Sequence, residues 1–283
     1  MIRYPSPPGR VPPPTPTDRQ AILAHLREEI ERRFPGVLVL PGGASLRPSP
    51  SMSCPPGAPR SASLSTYPQG TPRNPATTSE ECPSAMPPVR GGAPTGMPQV
   101  DSLIGGGFPR GALSLLSGPL SSGKLSLALG VATQVTRQGD LVAMVDGRGE
   151  IFFPSVEAAG AHLGRILRVR PLPHQLLPTT LILLESRAFA LVLLDLPSGR
   201  RPLLGPRQAM RLAAFCRRTS VILLILGLPS AIRPLVPAAS LWLEIAPSRR
   251  GARIVLKKGP TTVPESTELW IERHAPCDLP PPA

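Results

Sequence analysis

Gly118-Pro119-Leu120-Ser121-Ser122-Gly123-Lys124-Leu125 fits the phosphate-binding pattern G-x-x-x-x-G-K-[ST] at every place but the last. The pattern works because its glycines let consecutive backbone N–H groups curl around phosphate oxygens, while the lysine reaches the outer phosphates. The last place normally offers a hydroxyl to Mg²⁺; here it holds Leu125, whose hydrocarbon side chain cannot ligate a hard cation. Ser126 comes one residue late, and on a helix it points about 100° away. Gly118, Ser121, Ser122, Gly123, Lys124, Leu125 and Ser126 are therefore expected to hold a nucleotide such as ATP weakly, with poor hydrolysis. The plainer alternative is a structural turn that keeps the shape of the motif.

A second group of residues could bind polyanions. Arg200-Arg201, Arg207, Arg211, Arg217-Arg218 and Arg249-Arg250 are basic clusters, and Arg207, Arg211 and Arg218 are spaced to share one helix face. Such a face can track a nucleic acid backbone by salt-sensitive phosphate contacts. No aromatic residues interleave with it, since Phe215 and Trp242 stand alone and read as core, so base stacking is unsupported. A solvated arginine face is the competing account.

The whole chain is strongly basic: 283 residues carry a formal net charge of +13 and a sequence pI near 11.1. That balance favours nucleic acid or another polyanion as partner, although an arginine-rich coding bias produces the same composition. Only Lys124, Lys257 and Lys258 are lysines, and one of the three sits in the phosphate loop. Cys54, Cys82, Cys216 and Cys277 form no C-x-x-C pair, which argues against a structural zinc site. The first residues lack the apolar centre of a secretory signal, and apolar runs such as Val221–Leu226 are too short to span a bilayer. A cytoplasmic, nucleoid-associated protein without membrane contact is expected.

The elements that must position these groups are readable from composition and periodicity. Residues 1–16 form a proline-rich tail, and residues 41–95 a tether rich in Pro, Ser and Gly; both are expected to be disordered. Between them, over 17–40, Thr17-Asp18-Arg19-Gln20 reads as a capping box opening one amphipathic helix. Ile22, Leu26, Ile30 and Phe34 form its stripe, Pro35-Gly36 end it, and a short strand, Val37–Leu40, follows. The stripe is expected to dock on the core, with a partner protein as the alternative.

From residue 96 to 273 strands and helices alternate, and 274–283 form a second disordered tail. Strands are expected at Ala112–Ser117, Leu141–Val145, Arg165–Val169, Leu191–Asp195, Val221–Leu226, Leu241–Ile245 and Arg253–Leu256. Helices are expected at Ser126–Gln138, Ser155–Leu163, Leu177–Ser186 and Pro206–Arg217. Continuous Val/Leu/Ile strands separated by helices imply an α/β fold with a mostly parallel sheet covered on both faces. Ligands bind at the carboxyl ends of such strands, where Gly118–Lys124 lies.

These residues resemble a known family. Pro94-Thr95-Gly96-Met97-Pro98, then Gly105-Gly106-Gly107-Phe108-Pro109-Arg110-Gly111 leading into the phosphate loop, are similar to the start of the bacterial RecA recombinase core. The similarity runs through Val145-Asp146, Leu191–Asp195 and Gln208-Ala209-Met210-Arg211, and ends near Arg253–Lys258. The shortened core and its G-G-G-x-P-R-G-A-L stretch look more like the RecA-like accessory proteins called ImuA, or SulA-like. Those are associated with SOS-type, damage-induced translesion mutagenesis beside a Y-family polymerase-like partner.

The resemblance implies a RecA-like P-loop core and assigns roles by position. Asp195 matches the Walker B carboxylate that holds hydrated Mg²⁺, though a carboxylate at a buried strand end can also simply cap a loop. Arg148 stands where the family has its water-activating carboxylate; Glu150, two residues on, could replace it only in a rebuilt loop. Leu226-Gly227-Leu228-Pro229 lacks the family's nucleotide-sensing amide. The DNA-binding loops correspond to Leu196–Gly205, carrying Arg200 and Arg201, and to a shortened Leu228–Pro237. Lys257 and Lys258 resemble lysines that reach a neighbouring subunit's nucleotide.

The leading expectation is a RecA-like accessory factor of DNA repair or damage tolerance. It binds ATP weakly, contacts DNA, with single strands as the expected target, or the recombinase, and works by assembly. The alternatives are an active DNA-dependent ATPase of the RecA family using Glu150, and a purely structural module that caps RecA-like filaments.

Overall fold

The computed structural model describes residues 16–41, 92–199, 202–248, 251–259 and 266–269. The expected tails, apart from Pro16, and nearly all of the expected tether lie outside them. The described strands form one sheet: β1 (Leu38–Pro41), β2 (Leu113–Ser117), β3 (Val142–Asp146), β4 (Ile166–Arg170), β5 (Leu191–Asp195), β6 (Ile222–Gly227), β7 (Leu241–Ser248), β8 (Gly251–Lys258) and β9 (Ser266–Leu269). Their order is β1-β4-β3-β5-β6-β2-β7-β8-β9. Every pair from β4 to β7 is parallel, whereas β1, β8 and β9 add antiparallel edges.

Alternation along each strand divides the core in two, because successive side chains point to opposite faces. Leu191 and Leu193 enter one apolar cluster, while Val192 and Leu194 enter the other. The first cluster is covered by α2 (Pro98–Leu103), α3 (Lys124–Arg137) and α4 (Phe153–Ala158). The second is covered by α1 (Pro16–Arg33), α5 (Leu176–Glu185), α6 (Pro206–Thr219) and α7 (Pro229–Ile232). Both faces are therefore buried, as the continuous apolar strands require.

Helix α1 begins at Pro16, so Thr17 lies inside the helix rather than capping it. Proline suits a first helical position because its missing N–H has no partner to lose there. Leu26 and Ile30 are buried against the α5–α6 side of the sheet, with Ile22, Leu23 and Phe34 packed around them. The stripe thus docks on the chain's own core. Helix α4 is shorter than its pattern predicts, because Gly160 turns the chain at φ 82 and a 3-10 turn, Leu163–Arg165, replaces the rest.

The stretch Leu228–Pro237, expected as a reduced loop, is instead helical. It forms α7 and a 3-10 turn, Arg233–Ala238, with Ile232 and Leu235 fully buried. Two apolar anchors at that spacing make it part of the core.

Candidate nucleotide site

The Gly118–Gly123 loop joins the carboxyl end of central β2 to the first turn of α3. Its start is pinned to the sheet by the Gly118 N–H, which donates to the Gly227 carbonyl at 3.2 Å. A Cβ on Gly118 would sit 2.3 Å from the Ile245 carbonyl oxygen, so only glycine allows this approach. Gly123 closes the loop at φ 90, a left-handed conformation that aims the first N–H groups of α3 into the loop. Ser121 shares that region at φ 58. No acidic side chain occupies the first turn of α3, leaving its N-terminal dipole free for an anion.

Two polar groups belong to this loop. The Ser122 hydroxyl is buried with no hydrogen-bond partner, a costly arrangement unless a ligand supplies one. The Lys124 ammonium donates to the Pro119 carbonyl at 2.8 Å across the loop. Burial lowers its pKa from the ordinary value, the nearby Arg148 charge adds to the effect, and Asp195 and Glu150 oppose it.

The opposite wall comes from the ends of β3 and β5. Asp146, buried at the end of β3, accepts backbone hydrogen bonds from Gly149 at 2.7 Å, Glu150 at 3.1 Å and Ile151 at 3.3 Å. It also pairs with the Arg168 guanidinium and, at 3.8 Å, with Arg170, both from neighbouring β4. Arg168 lies over the Phe153 ring at 4.8 Å, and Arg170 donates to the Gly149 carbonyl. The Gly147 N–H donates to the Asp195 carbonyl at 3.1 Å. The loop after β3 is thus tied down from three sides, and it presents Arg148 to the cleft.

Arg148 pairs with Glu150, and its Nε lies 4.0 Å from Asp195 Oδ2. Burial pushes the Asp195 carboxyl up to about 6; Arg148 and Lys124 pull it down, and the charges of Asp146 and Glu150 push it further up. The cleft between the two walls has a volume of about 550 Å³. Residues 120–126, Arg148, Glu150, Asp195 and Leu226 line it, so the structure places the loop, Asp195 and Glu150 around one cleft. Ser126, expected to point away, lies on the rim.

The arrangement suits a polyphosphate: free amides at a helix start and two cationic side chains converge on one cavity. It suits Mg²⁺ poorly. Leu125 offers no oxygen, and the guanidinium of Arg148 stands beside Asp195, the carboxylate expected to hold the ion. Glu150 is engaged by Arg148 rather than free to activate water.

The other expected groups divide. Arg207 and Arg211 are exposed on α6, one turn apart. Arg211 and Arg218 flank the Phe215 ring at 5.9 and 5.5 Å, so that aromatic supports the arginine face while packing on the core. Arg200, Arg201, Arg249 and Arg250 lie outside the described residues. Lys257 pairs with Glu244 at 3.1 Å, and Lys258 donates to the Val236 carbonyl at 3.1 Å, so both are engaged within the chain. Sequence reasoning missed Arg168 and Arg170; charged residues in alternation along an otherwise apolar strand were the available signal.

Comparison with known proteins agrees with this architecture. A family model described as the MT3502 N-terminal domain matches residues 101–231. RecA of Symbiobacterium thermophilum is 34% identical over 104 residues, covering 36% of this chain and 30% of that protein. RecA of Picosynechococcus is 33% identical over 78 residues, covering 28% and 22%. The chain therefore spans less than a third of the RecA proteins it matches. The crystal structure of the RadB recombinase superposes with a TM-score of 0.52 at 22% identity, covering 62% of this chain and 94% of that one. The chain carries a RecA-like α/β core.

Proposed function

We propose that this chain is a RecA-like accessory factor of DNA repair or damage tolerance, which binds ATP weakly in the cleft below β2 and hydrolyses it poorly. One observation carries the reading. The cleft keeps Lys124 and Asp195, but Arg148 and Leu125 hold the places of the activating carboxylate and the metal-binding hydroxyl. Phosphoryl transfer depends almost entirely on such positioning, so binding outlasts catalysis when these groups are lost.

Assembly is then the remaining way to act. The exposed arginines of α6 offer a phosphate-binding face for DNA, and the RecA-like core offers a surface for a RecA-type recombinase or a Y-family polymerase-like partner. Such a factor belongs in the SOS and translesion setting implied by the ImuA resemblance. The test combines binding of a fluorescent ATP analogue with phosphate release in the presence of single-stranded DNA. Saturable binding that Lys124→Ala abolishes, with negligible release, is the expected result. Brisk DNA-stimulated release that the same variant abolishes would establish an active ATPase instead.

A further inference from the structure

Resting on that nucleotide reading, we propose that Arg148 replaces the divalent cation, so the cleft binds a nucleoside triphosphate without Mg²⁺. The argument starts from where the guanidinium is held. Arg148 side-chain exposure is only 14%, and it stands inside the cleft between Asp195 and Glu150. A metal ion coordinated by Asp195 and the phosphates must enter the same space.

The position is built into the fold. Asp146 fixes the backbone of the loop through Gly149, Glu150 and Ile151, and Arg170 holds the Gly149 carbonyl. Gly147 has no room for a side chain, since a Cβ there would lie 2.6 Å from the Asp195 carbonyl oxygen. The loop therefore stays pressed against β5, and the side chain that follows Gly147 is directed into the cleft.

The chemistry fits the substitution. A divalent ion in this site neutralises phosphate charge and spans two phosphate oxygens. A guanidinium does both, since its planar fork of donors matches phosphate geometry and its charge persists at every physiological pH. In the free protein one arm of that fork donates to Glu150, and Asp195 stands 4.0 Å from its Nε without a hydrogen bond. A triphosphate competes for the fork, and the exposed Glu150 is the group released. Lys124 and the amides of α3 hold the remaining oxygens. A second cation beside Arg148 gains little here, because Leu125 supplies no ligand and the two positive charges repel.

The experiment titrates a fluorescent ATP analogue into the full-length chain in EDTA and in excess MgCl2. Wild type, Lys124→Ala, Arg148→Ala and Arg148→Lys are compared, with folding checked by circular dichroism. Expected are wild-type affinities within about threefold of each other in the two media, and a loss of about tenfold or more in EDTA for Arg148→Ala. Arg148→Lys, which keeps the charge without the fork, should fall between them and covers the case where alanine disturbs the fold. Inorganic triphosphate should displace the analogue in EDTA.

Binding that needs Mg²⁺ in wild type, or metal-free binding undiminished in both Arg148 variants, overturns the proposal while leaving nucleotide binding intact. No binding in either medium removes the nucleotide reading itself, and this inference with it.

Discussion

Arg168 and Asp146 form a buried ion pair between adjacent parallel strands, with side-chain exposures of 8% and 0%. The carboxylate also accepts three backbone N–H groups from the loop that carries Arg148, so the pair links the core to the cleft. Removing one partner of a buried pair leaves an uncompensated charge, typically costing about 3–5 kcal/mol. Asp146→Ala should destabilise by that order in urea denaturation and also weaken nucleotide binding by freeing the loop. Arg168→Met should cost less, since Arg170 remains 3.8 Å away and the methionine still packs on Phe153. Equal losses for the two variants would show that the backbone hydrogen bonds of Asp146 contribute little.

Asp195 makes stability depend on pH in a predictable direction. Its carboxyl, pushed up to about 6 chiefly by burial, keeps a proton that the unfolded chain releases near pH 4. Where the native state binds more protons, stability falls as pH rises. The contribution is therefore full below about pH 4, declines between about pH 4 and 6, and is absent above. Asp195→Asn should remove the trend, so wild type relative to the variant should lose about 3 kcal/mol across that window. A constant difference between the two from pH 4 to 7 would contradict the assignment.

Gly118 tests the loop without touching any charge. Alanine there places its Cβ against the Ile245 carbonyl and the Ser122 hydroxyl, at 2.3 and 2.6 Å. Backbone cannot yield as a flexible side chain does, so the loop must shift away from β7. A cost of about 1–3 kcal/mol in thermal or urea unfolding is expected, together with loss of nucleotide binding. Normal binding by a Gly118→Ala protein would mean that the close approach is dispensable.

Helix α1 supplies a prediction about the reach of the core. Ile30 is fully buried against the α5–α6 side, far in sequence from the residues it touches. Ile30→Ala should destabilise the whole domain by about 2–5 kcal/mol, in a single transition with the sheet. A variant that frees α1 while the core melts unchanged would make α1 a separable appendage.

How much of this was legible follows from range. The parallel sheet was readable because Leu191–Leu194 and Ile222–Leu226 are apolar at every position, which only two-sided burial explains. The phosphate loop was readable because its residues are consecutive. The Asp146–Arg168–Arg170 cluster was not, because it depends on β3 and β4 lying side by side, a pairing that no local pattern encodes. Arg148 could be located as a departure from the RecA pattern, yet its approach to Asp195 required knowing that β3 and β5 are neighbours. Leu228–Pro237 was read as a loop because the RecA resemblance places a shortened DNA-binding loop there, and its prolines at 229, 234 and 237 do not force one. They sit instead near the starts of short helical turns or within one, held by Ile232 and Leu235.

The arginine face of α6 yields the last prediction. Arg207 and Arg211 project from one side of the helix, while Ala209, Leu212, Ala213 and Cys216 bury the other, so the two arginines can be changed without disturbing the core. Each phosphate contact releases about one counterion from the nucleic acid, so affinity falls with salt in proportion to the number of contacts. Arg207→Gln with Arg211→Gln should weaken binding of a labelled single-stranded oligonucleotide and reduce the slope of log K against log salt by roughly 1.4, since each contact to a single strand contributes about 0.7. Fluorescence anisotropy between 50 and 200 mM salt, roughly the range over which such contacts dominate, measures both quantities. Arg211 lies over Phe215, so a Phe215→Leu control separates loss of charge from loss of the platform under it. An unchanged slope in the double variant would move any DNA contact away from α6.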